Sequence, residues 1–136
     1  MLGCRAIISR GWARLGDGPL PHGVMAIGAV SHASLFPRLS AVVHHGGAGT
    51  THTASRAGVP QIVVPHVLDQ FYFARRVQTL GVAPPPIPRA KLNVARLAAV
   101  VRDTIENQQL GARAADLARE LADLGPVSPQ ASAVLG

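Results

Sequence analysis

Several kinds of residue are scarce in this sequence of 136 amino acids, and each scarcity excludes a class of protein. A single cysteine, Cys4, excludes an internal disulfide framework and favours the cytosol as the compartment. Because apolar residues follow Cys4, we expect its thiol to be buried and unreactive. Aromatic residues make up only 4% of the chain, and no aromatic and basic residues alternate in a pattern suited to stacking on nucleic-acid bases. No apolar run reaches the ~18 residues of a membrane span, and the first residues lack the apolar stretch of a signal peptide.

The positive charge of the chain is dispersed rather than clustered. The formal net charge is +6, and it comes almost entirely from arginine, since Lys91 is the only lysine. Only Arg75 and Arg76 are adjacent, which argues against a patch for nucleic acid or for a membrane surface. The overall positive field still favours a small ligand that carries phosphate.

Apolar residues make up 48% of the chain, enough for a core, and the length fits a single domain. We assign this domain to residues 1–125 and a polar tail to residues 126–136. Short apolar runs alternate with helical patterns, which predicts an α/β fold with a Rossmann-like parallel sheet and helices on both faces. The predicted strands are 5–9, 24–27, 41–45 and 61–64, and the predicted helices are 69–80, 94–105 and 112–124, with a shorter helix ending at residue 57. Since the chain opens almost directly into a strand, and four strands leave exposed sheet edges, we expect that an N-terminal part is missing.

Residues 46–49, here called the glycine segment, contain three glycines between a predicted strand and a predicted helix. Glycines let the backbone approach a bulky anion, and a helix start supplies free N–H groups and the positive end of a dipole. His45 precedes the segment, and Thr50 and Thr51 follow it with hydroxyls that can donate to phosphate or cap the helix. A phosphate-binding loop and a tight turn with a capping threonine both fit this pattern.

Two other motifs compete for the glycine segment. A P-loop requires a lysine that is not present there. A dinucleotide fingerprint has its first two glycines and an acidic residue, Asp69, at a suitable distance, but His52 stands where the third glycine belongs. An NAD-dependent oxidoreductase therefore stays as a minor alternative. The histidines at positions 44, 45, 52 and 66 match no standard zinc spacing, and we expect no metal.

Residues 35–70, LFPRLSAVVHHGGAGTTHTASRAGVPQIVVPHVLDQ, resemble the donor-binding signature of the UDP-glycosyltransferase superfamily. The similarity is greatest to its bacterial branch of antibiotic, macrolide and sterol glycosyltransferases. It rests on the HGGAGT loop, the GVPxxxxP strand and the DQ pair, and it extends over roughly residues 4–105. Such enzymes have a GT-B fold, in which two Rossmann-like domains face each other across a cleft. The chain resembles the C-terminal domain, which binds the nucleotide sugar.

The resemblance implies roles for two groups of residues. The diphosphate of the donor would be bound by His45, Gly46, Gly47, Gly49 and Thr50, and the hydroxyls of its sugar by Asp69 and Gln70. Ligands of parallel sheets bind at the carboxyl ends of the strands, so both groups are predicted to lie at one edge. As alternatives, Asp69 would only cap its helix, and His44 would pack or bond locally rather than bind ligand.

The resemblance also implies the reaction, which is transfer of a hexose from a UDP- or dTDP-sugar to a hydroxyl of a small lipophilic acceptor, with inversion and without a metal. A histidine of the N-terminal domain would act as base, while His45 and the loop amides would stabilise the leaving diphosphate. We expect this chain to bind the donor but not to turn over alone. Thr53 stands where plant relatives have a glutamate for the ribose, which leaves the base undecided. A sugar-nucleotide epimerase or a binding-only module of the same fold remains an alternative.

Overall fold

The structure, a computed structural model, describes residues 4–9 and 18–125, which form an α/β fold of short parallel strands and helices. The strands are β1 (Ala6–Ser9), β2 (Val24–Ile27), β3 (Val42–His44) and β4 (Gln61–Val63). The helices are α1 (His32–Leu35), α2 (Ala48–Ala57), α3 (Leu68–Thr79), α4 (Val94–Glu106) and α5 (Gln108–Asp123), with short 3₁₀ helices at Phe36–Arg38 and Arg89–Lys91. Every predicted strand and helix is present, and the largest shifts of an end are at the starts of α2 and α5. The predicted tail, 126–136, lies outside the described residues.

The strands pair in two parallel two-stranded sheets. β1 pairs with β2 from Ala6 opposite Val24, and β3 pairs with β4 from Val42 opposite Gln61. The parallel α/β architecture is therefore confirmed, but within residues 4–9 and 18–125 no hydrogen-bonded pairing joins the two sheets. β1 is mostly exposed. Cys4, just before it, is exposed as well, so the prediction of a buried thiol was wrong.

The core lies around β4, which has helices on both faces. All three of its residues are buried. Successive residues of a strand point to opposite faces. Accordingly, Val63 packs in a cluster with residues of α3 and α5, and Ile62 packs in a cluster against α4. A third cluster joins β3 to α2 through Val42 and Ala54. Because the helices gather around β3 and β4, this sheet is the rigid base on which a site can be built.

Glycines follow the ends of two helices, and the last apolar residues of two others are exposed. Gly58 and Gly81 end α2 and α3 with φ of +76° and +80°, a left-handed conformation that glycine adopts readily. Near the end of α4, Ile105 is 41% exposed, and Thr104 lies in the core at 2% exposure. Leu124, the last residue of the predicted helix 112–124, is 79% exposed, because α5 ends one residue earlier. In the described part of the chain, no helix combines the length and the apolar character needed to cross a membrane.

Candidate functional site

The two predicted ligand-binding segments meet at Gly46. β3 and β4 are parallel, so the glycine segment and the segment that begins at His66 leave the same edge of the sheet. A Cβ built on Gly46 would lie 2.9 Å from the carbonyl oxygen of Gln70 and 3.0 Å from Cγ1 of Val63, and the φ of Gly46 is +94°. Only glycine fits such a position. The backbone of the glycine segment therefore rests directly on the first turn of α3.

α2 begins inside the glycine segment, not after it. The sequence predicted a loop as far as Thr51, but the helix starts at Ala48, with an extended Gly47 as its N-cap. The first backbone bond of the helix runs from the N–H of Thr51 to the carbonyl of Gly47 at 2.9 Å. The N–H groups of Ala48, Gly49 and Thr50 precede that bond, and no side chain of the described residues caps the helix. These three donors and the positive dipole end can bind an anion.

Two imidazoles lie beside this helix start. The ring of His45 covers the N-cap glycine, since a Cβ on Gly47 would be 2.9 Å from Cε1 of His45. The ring of His66 faces it, with ring centroids 6.2 Å apart and an interplanar angle of 46°. Both side chains are exposed. No role was predicted for His66, although its place shortly after β4 was a signal that it reaches the same edge.

The threonines that follow the glycine segment differ in the use of their hydroxyls. The Thr51 hydroxyl donates to the carbonyl of Gly47 at 2.7 Å, and the Thr53 hydroxyl donates to the carbonyl of Gly49 at 2.9 Å. Thr51 is also buried. Thr50 is half-buried, and its hydroxyl makes no hydrogen bond to another described residue. Thr50 is thus the one of the three whose hydroxyl is available to a ligand at the helix start.

Asp69 and Gln70 present opposite hydrogen-bonding groups at the start of α3. Asp69 is exposed in the first turn, where the dipole favours a negative charge, and its carboxylate accepts no hydrogen bond from another described residue. The side chain that caps the start of α3 is Gln70 and not Asp69, which removes the alternative interpretation of Asp69 as the cap. Oε1 of Gln70 accepts the backbone N–H groups of His66 and Val67 at 2.7 and 3.1 Å. The carboxylate of Asp69 can therefore only accept, and the amide of Gln70 has its NH₂ left to donate.

Two further histidines bond to other residues of the chain. His44 bonds through Nε2 to Oε1 of Gln61 at 2.8 Å and accepts the N–H of Gly46 through Nδ1 at 3.0 Å, which confirms that it bonds locally. Burial lowers the pKa of His44, the bond to Gln61 opposes this shift, and the adjacent His45 adds to it. His52 accepts a hydrogen bond from Nε of Arg56 at 2.9 Å. Burial, and then the charge of Arg56, lower the pKa of His52.

His45, His66 and Asp69 are exposed at the edge of the sheet, and two grooves of the described residues lie elsewhere. One groove of about 170 Å³ lies between α2, α3 and α5, and another of about 300 Å³ lies between the proline-rich segment and α4. Neither is lined by His45, His66, Asp69 or Gln70. Within residues 4–9 and 18–125, no three histidine, cysteine, aspartate or glutamate side chains are close enough together to hold a metal ion. A ligand bound at this edge would keep one side uncovered by the described residues.

Comparison with known proteins links this arrangement to glycosyltransferases. The profile of a family described as "Erythromycin biosynthesis protein CIII-like, C-terminal domain" matches residues 7–132. A vancomycin aglycone glucosyltransferase of Amycolatopsis orientalis is 57% identical over 83 residues, which cover 59% of this chain and 20% of that protein. A sterol 3-beta-glucosyltransferase of Arabidopsis thaliana is 45% identical over 100 residues, covering 72% of this chain and 16% of that protein.

Solved structures show the same fold. The glycosyltransferase VinC in complex with dTDP is 34% identical with a TM-score of 0.73, covering 87% of this chain and 29% of that one. The spinosyn rhamnosyltransferase SpnG complexed with thymidine diphosphate is 26% identical with a TM-score of 0.79, covering 90% of this chain and 34% of that one. The chain thus spans a fifth or less of the two curated relatives, and about a third of the two solved structures.

Proposed function

The chain belongs to the family of erythromycin biosynthesis protein CIII-like C-terminal domains, the C-terminal half of GT-B glycosyltransferases, and we propose that it binds the nucleotide-diphosphate-sugar donor of an inverting glycosyltransferase. One observation carries this proposal. Gly46 brings the helix start, which suits an anion, against the first turn of α3, which presents a carboxylate and an amide. A diphosphate and the hexose attached to it need these two kinds of group side by side.

The diphosphate is held at the start of α2. The free N–H groups of Ala48, Gly49 and Thr50 donate to its oxygens, and the Thr50 hydroxyl adds another donor. The imidazoles of His45 and His66 flank the same position. Donors fixed in advance stabilise the charge that develops on a departing diphosphate without rearrangement during the reaction. This set supplies the stabilisation from the protein itself, so we propose that no metal takes part.

The hexose is held at the start of α3. The carboxylate of Asp69 accepts hydrogen bonds from sugar hydroxyls, and the NH₂ group of Gln70 donates to a sugar oxygen, because Oε1 of Gln70 is occupied by two backbone N–H groups. The position of Asp69 near the helix dipole keeps its charge favourable there.

Two observations favour thymidine over uridine as the base. VinC and SpnG, which match this chain in fold, are both complexed with thymidine diphosphate. Thr53 stands where the plant relatives have a glutamate that binds the ribose. Its side chain is shorter than glutamate, and its hydroxyl already donates to the carbonyl of Gly49. A deoxyribose, which has no 2′-hydroxyl, makes no demand on that position.

The acceptor is proposed to be a small lipophilic molecule with a hydroxyl group, as the names of the vancomycin aglycone and sterol relatives suggest. The matched solved structures are about three times as long as this chain, and His45, His66 and Asp69 of the donor edge are exposed. We therefore place the acceptor on a second domain facing this edge, and expect no transfer by the chain alone.

Calorimetric titration of the chain with dTDP, UDP and NAD in turn tests the donor site. We expect saturable binding of a pyrimidine diphosphate, with dTDP ahead of UDP. His45→Ala should weaken it by about tenfold or more, the worth of a hydrogen bond to a charged group. His22→Ala is the matched control, since His22 is equally exposed but lies before β2. Binding of NAD alone, binding of none of the three ligands, or equal effects of the two variants would contradict the proposal.

A further inference from the structure

A chain of partly buried hydrogen bonds links the start of the glycine segment to β3, β4 and α2. Gln61 on β4 is fully buried at 0% exposure. Its Oε1 is 2.8 Å from Nε2 of His44, and its Nε2 donates to the hydroxyl of Ser55 at 3.0 Å. The Ser55 hydroxyl donates in turn to the carbonyl of Thr51 at 2.8 Å. At the other end, the N–H of Gly46 donates to Nδ1 of His44 at 3.0 Å.

The direction of every bond in this chain is determined. The hydroxyl of Ser55 has one hydrogen, and it goes to the carbonyl of Thr51, so the oxygen of Ser55 can only accept from Gln61. The amide of Gln61 must then present its NH₂ to Ser55 and its oxygen to His44. An oxygen acceptor requires a hydrogen on Nε2 of His44, and the bare Nδ1 accepts from Gly46. Only the neutral Nε2–H tautomer satisfies all four groups.

The bond to Gly46 acts on the ligand site. β3 ends at His44, so the N–H of the buried Gly46 is beyond the strand ladder and takes His44 as its acceptor. Gly46 is the residue whose turn places the N-cap of α2, and the same residue lies on the backbone of Gln70. A shift of this turn would therefore move the free N–H groups at the start of α2 relative to Asp69 and Gln70.

We propose that His44, held as the neutral Nε2–H tautomer between Oε1 of Gln61 and the N–H of Gly46, is a positioning residue that sets the Gly46 turn and with it the geometry of the diphosphate site. The inference about the turn stands on the hydrogen bonds alone, and its effect on the ligand rests on the proposed donor-binding function. His44 itself does not touch the ligand. A second proton on Nδ1 would face the N–H of Gly46 and break the turn, and the lowered pKa of His44 protects against this.

Two substitutions of His44 test the contacts of its two ring nitrogens one at a time. The side-chain oxygen of asparagine is bonded to Cγ, as Nδ1 of histidine is, so His44→Asn keeps an acceptor for Gly46 and loses Gln61. The amide of glutamine begins one bond further out, so His44→Gln keeps the partner for Gln61 and loses the acceptor for Gly46. Ser55→Ala is the control, because it breaks the network at its far end and leaves the Gly46 bond in place.

Nuclear magnetic resonance of the whole 136-residue chain tests the turn without any ligand. We expect long-range nitrogen–proton spectra of the native chain to show His44 protonated at Nε2 only, with a slowly exchanging Gly46 amide. This amide should stay protected in the asparagine and Ser55→Ala variants and should exchange about tenfold faster or more in the glutamine variant, in line with one lost hydrogen bond. A proton on Nδ1 in the native chain overturns the inference even if neither variant folds. So does equal exchange in His44→Gln and the native chain.

Affinity for dTDP tests the effect on the ligand. We expect His44→Asn to bind within about threefold of the native chain and His44→Gln to bind about tenfold more weakly. Equal weakening in both variants would show a structural role for His44 and no positioning role. If the native chain binds neither dTDP nor UDP, the proposed function fails, while the tautomer and the Gly46 amide still decide whether His44 sets the turn.

Discussion

Replacing Gly46 by alanine should destabilise the chain strongly, because two independent effects act at that residue. Its φ of +94° is one that residues with a Cβ rarely adopt, at a cost of about 1–2 kcal/mol. The new Cβ would also lie 2.9 Å from the carbonyl oxygen of Gln70 and 3.0 Å from a methyl of Val63. Since backbone and a packed β4 residue cannot simply turn aside, overpacking adds about 1–3 kcal/mol. The expected loss is about 2–5 kcal/mol, or roughly 8–20 °C in melting temperature.

Gly47→Ala is the matched control, one residue along. The φ of Gly47 is −62°, which alanine adopts freely, and the atom nearest its new Cβ is the tip of the exposed His45 ring at 2.9 Å. The ring can rotate away, so we expect the stability to change by less than about 1 kcal/mol. The displaced imidazole should nevertheless weaken binding of a nucleotide diphosphate.

Urea unfolding followed by circular dichroism, together with thermal melts, measures both variants against the native chain. The expected pattern is a large loss of stability for Gly46→Ala and almost none for Gly47→Ala. If the free energy of unfolding of Gly46→Ala is within about 1 kcal/mol of that of the native chain, the glycine segment does not rest on the first turn of α3. The diphosphate-binding and sugar-binding residues would then not form one site.

Three further predictions concern other parts of the molecule. Gln70→Glu keeps the acceptor for the two backbone N–H groups but has no NH₂ to donate to the sugar. The melting temperature should not change, while the affinity for a nucleotide sugar, divided by the affinity for the free nucleotide diphosphate, should fall about threefold to tenfold. If paired titrations give the same ratio for the variant and the native chain, Gln70 does not contact the sugar. Burial is the main cause of the lowered pKa values of His44 and His52, and the charges of His45 and Arg56 add to it. The unfolded chain therefore binds these protons first as pH falls below about 6.5, so stability should decline there by at most about 1.4 kcal/mol per pH unit for each histidine, with the smaller part from the more exposed His52. A flat profile of urea unfolding between pH 7.5 and 5.5 would refute this prediction. Arg56→Lys removes the separate donors with which Arg56 bonds His52 and the carbonyls of Leu121 and Gly125. We expect the free energy of unfolding to fall by about 1–3 kcal/mol and the amides in the last turn of α5 to exchange faster, and unchanged values of both would contradict a stabilising role for Arg56.

Residue types that act through the local backbone were predictable. The alternation of short apolar runs with helical patterns predicted the order of the elements and nearly all their limits. Because the strands were predicted to be parallel, the glycine segment was expected at the same sheet edge as Asp69 and Gln70, and the structure shows this. The exposure of Cys4 and of β1 was not predictable, since an apolar strand is covered or exposed according to which helices gather around it.

Hydrogen-bond partners at the site were not predictable in the same way. The resemblance assigned Gln70 to the sugar hydroxyls, but only the structure shows that its oxygen is used by the backbone of its own loop. It grouped Thr50 with Thr51, although rotation along the first turn of α2 turns Thr51 inward. It left His66 without a role, because the distance between His66 and His45 depends on the spacing of two strands.

The sequence by itself determined the α/β class, the family and the residues available for a diphosphate and a sugar, because these depend on residue type and on spacing along one stretch of chain. The tertiary structure alone decided what each of those residues does. His44 and Gln61 are 17 positions apart, and only the register of β3 against β4 brings them to 2.8 Å. The contact of Gly46 with Gln70 likewise arises from packing across the sheet edge, which no local pattern encodes. The local sequence therefore identifies the residues of the site, and long-range packing decides which of their hydrogen-bond donors and acceptors remain free for a ligand.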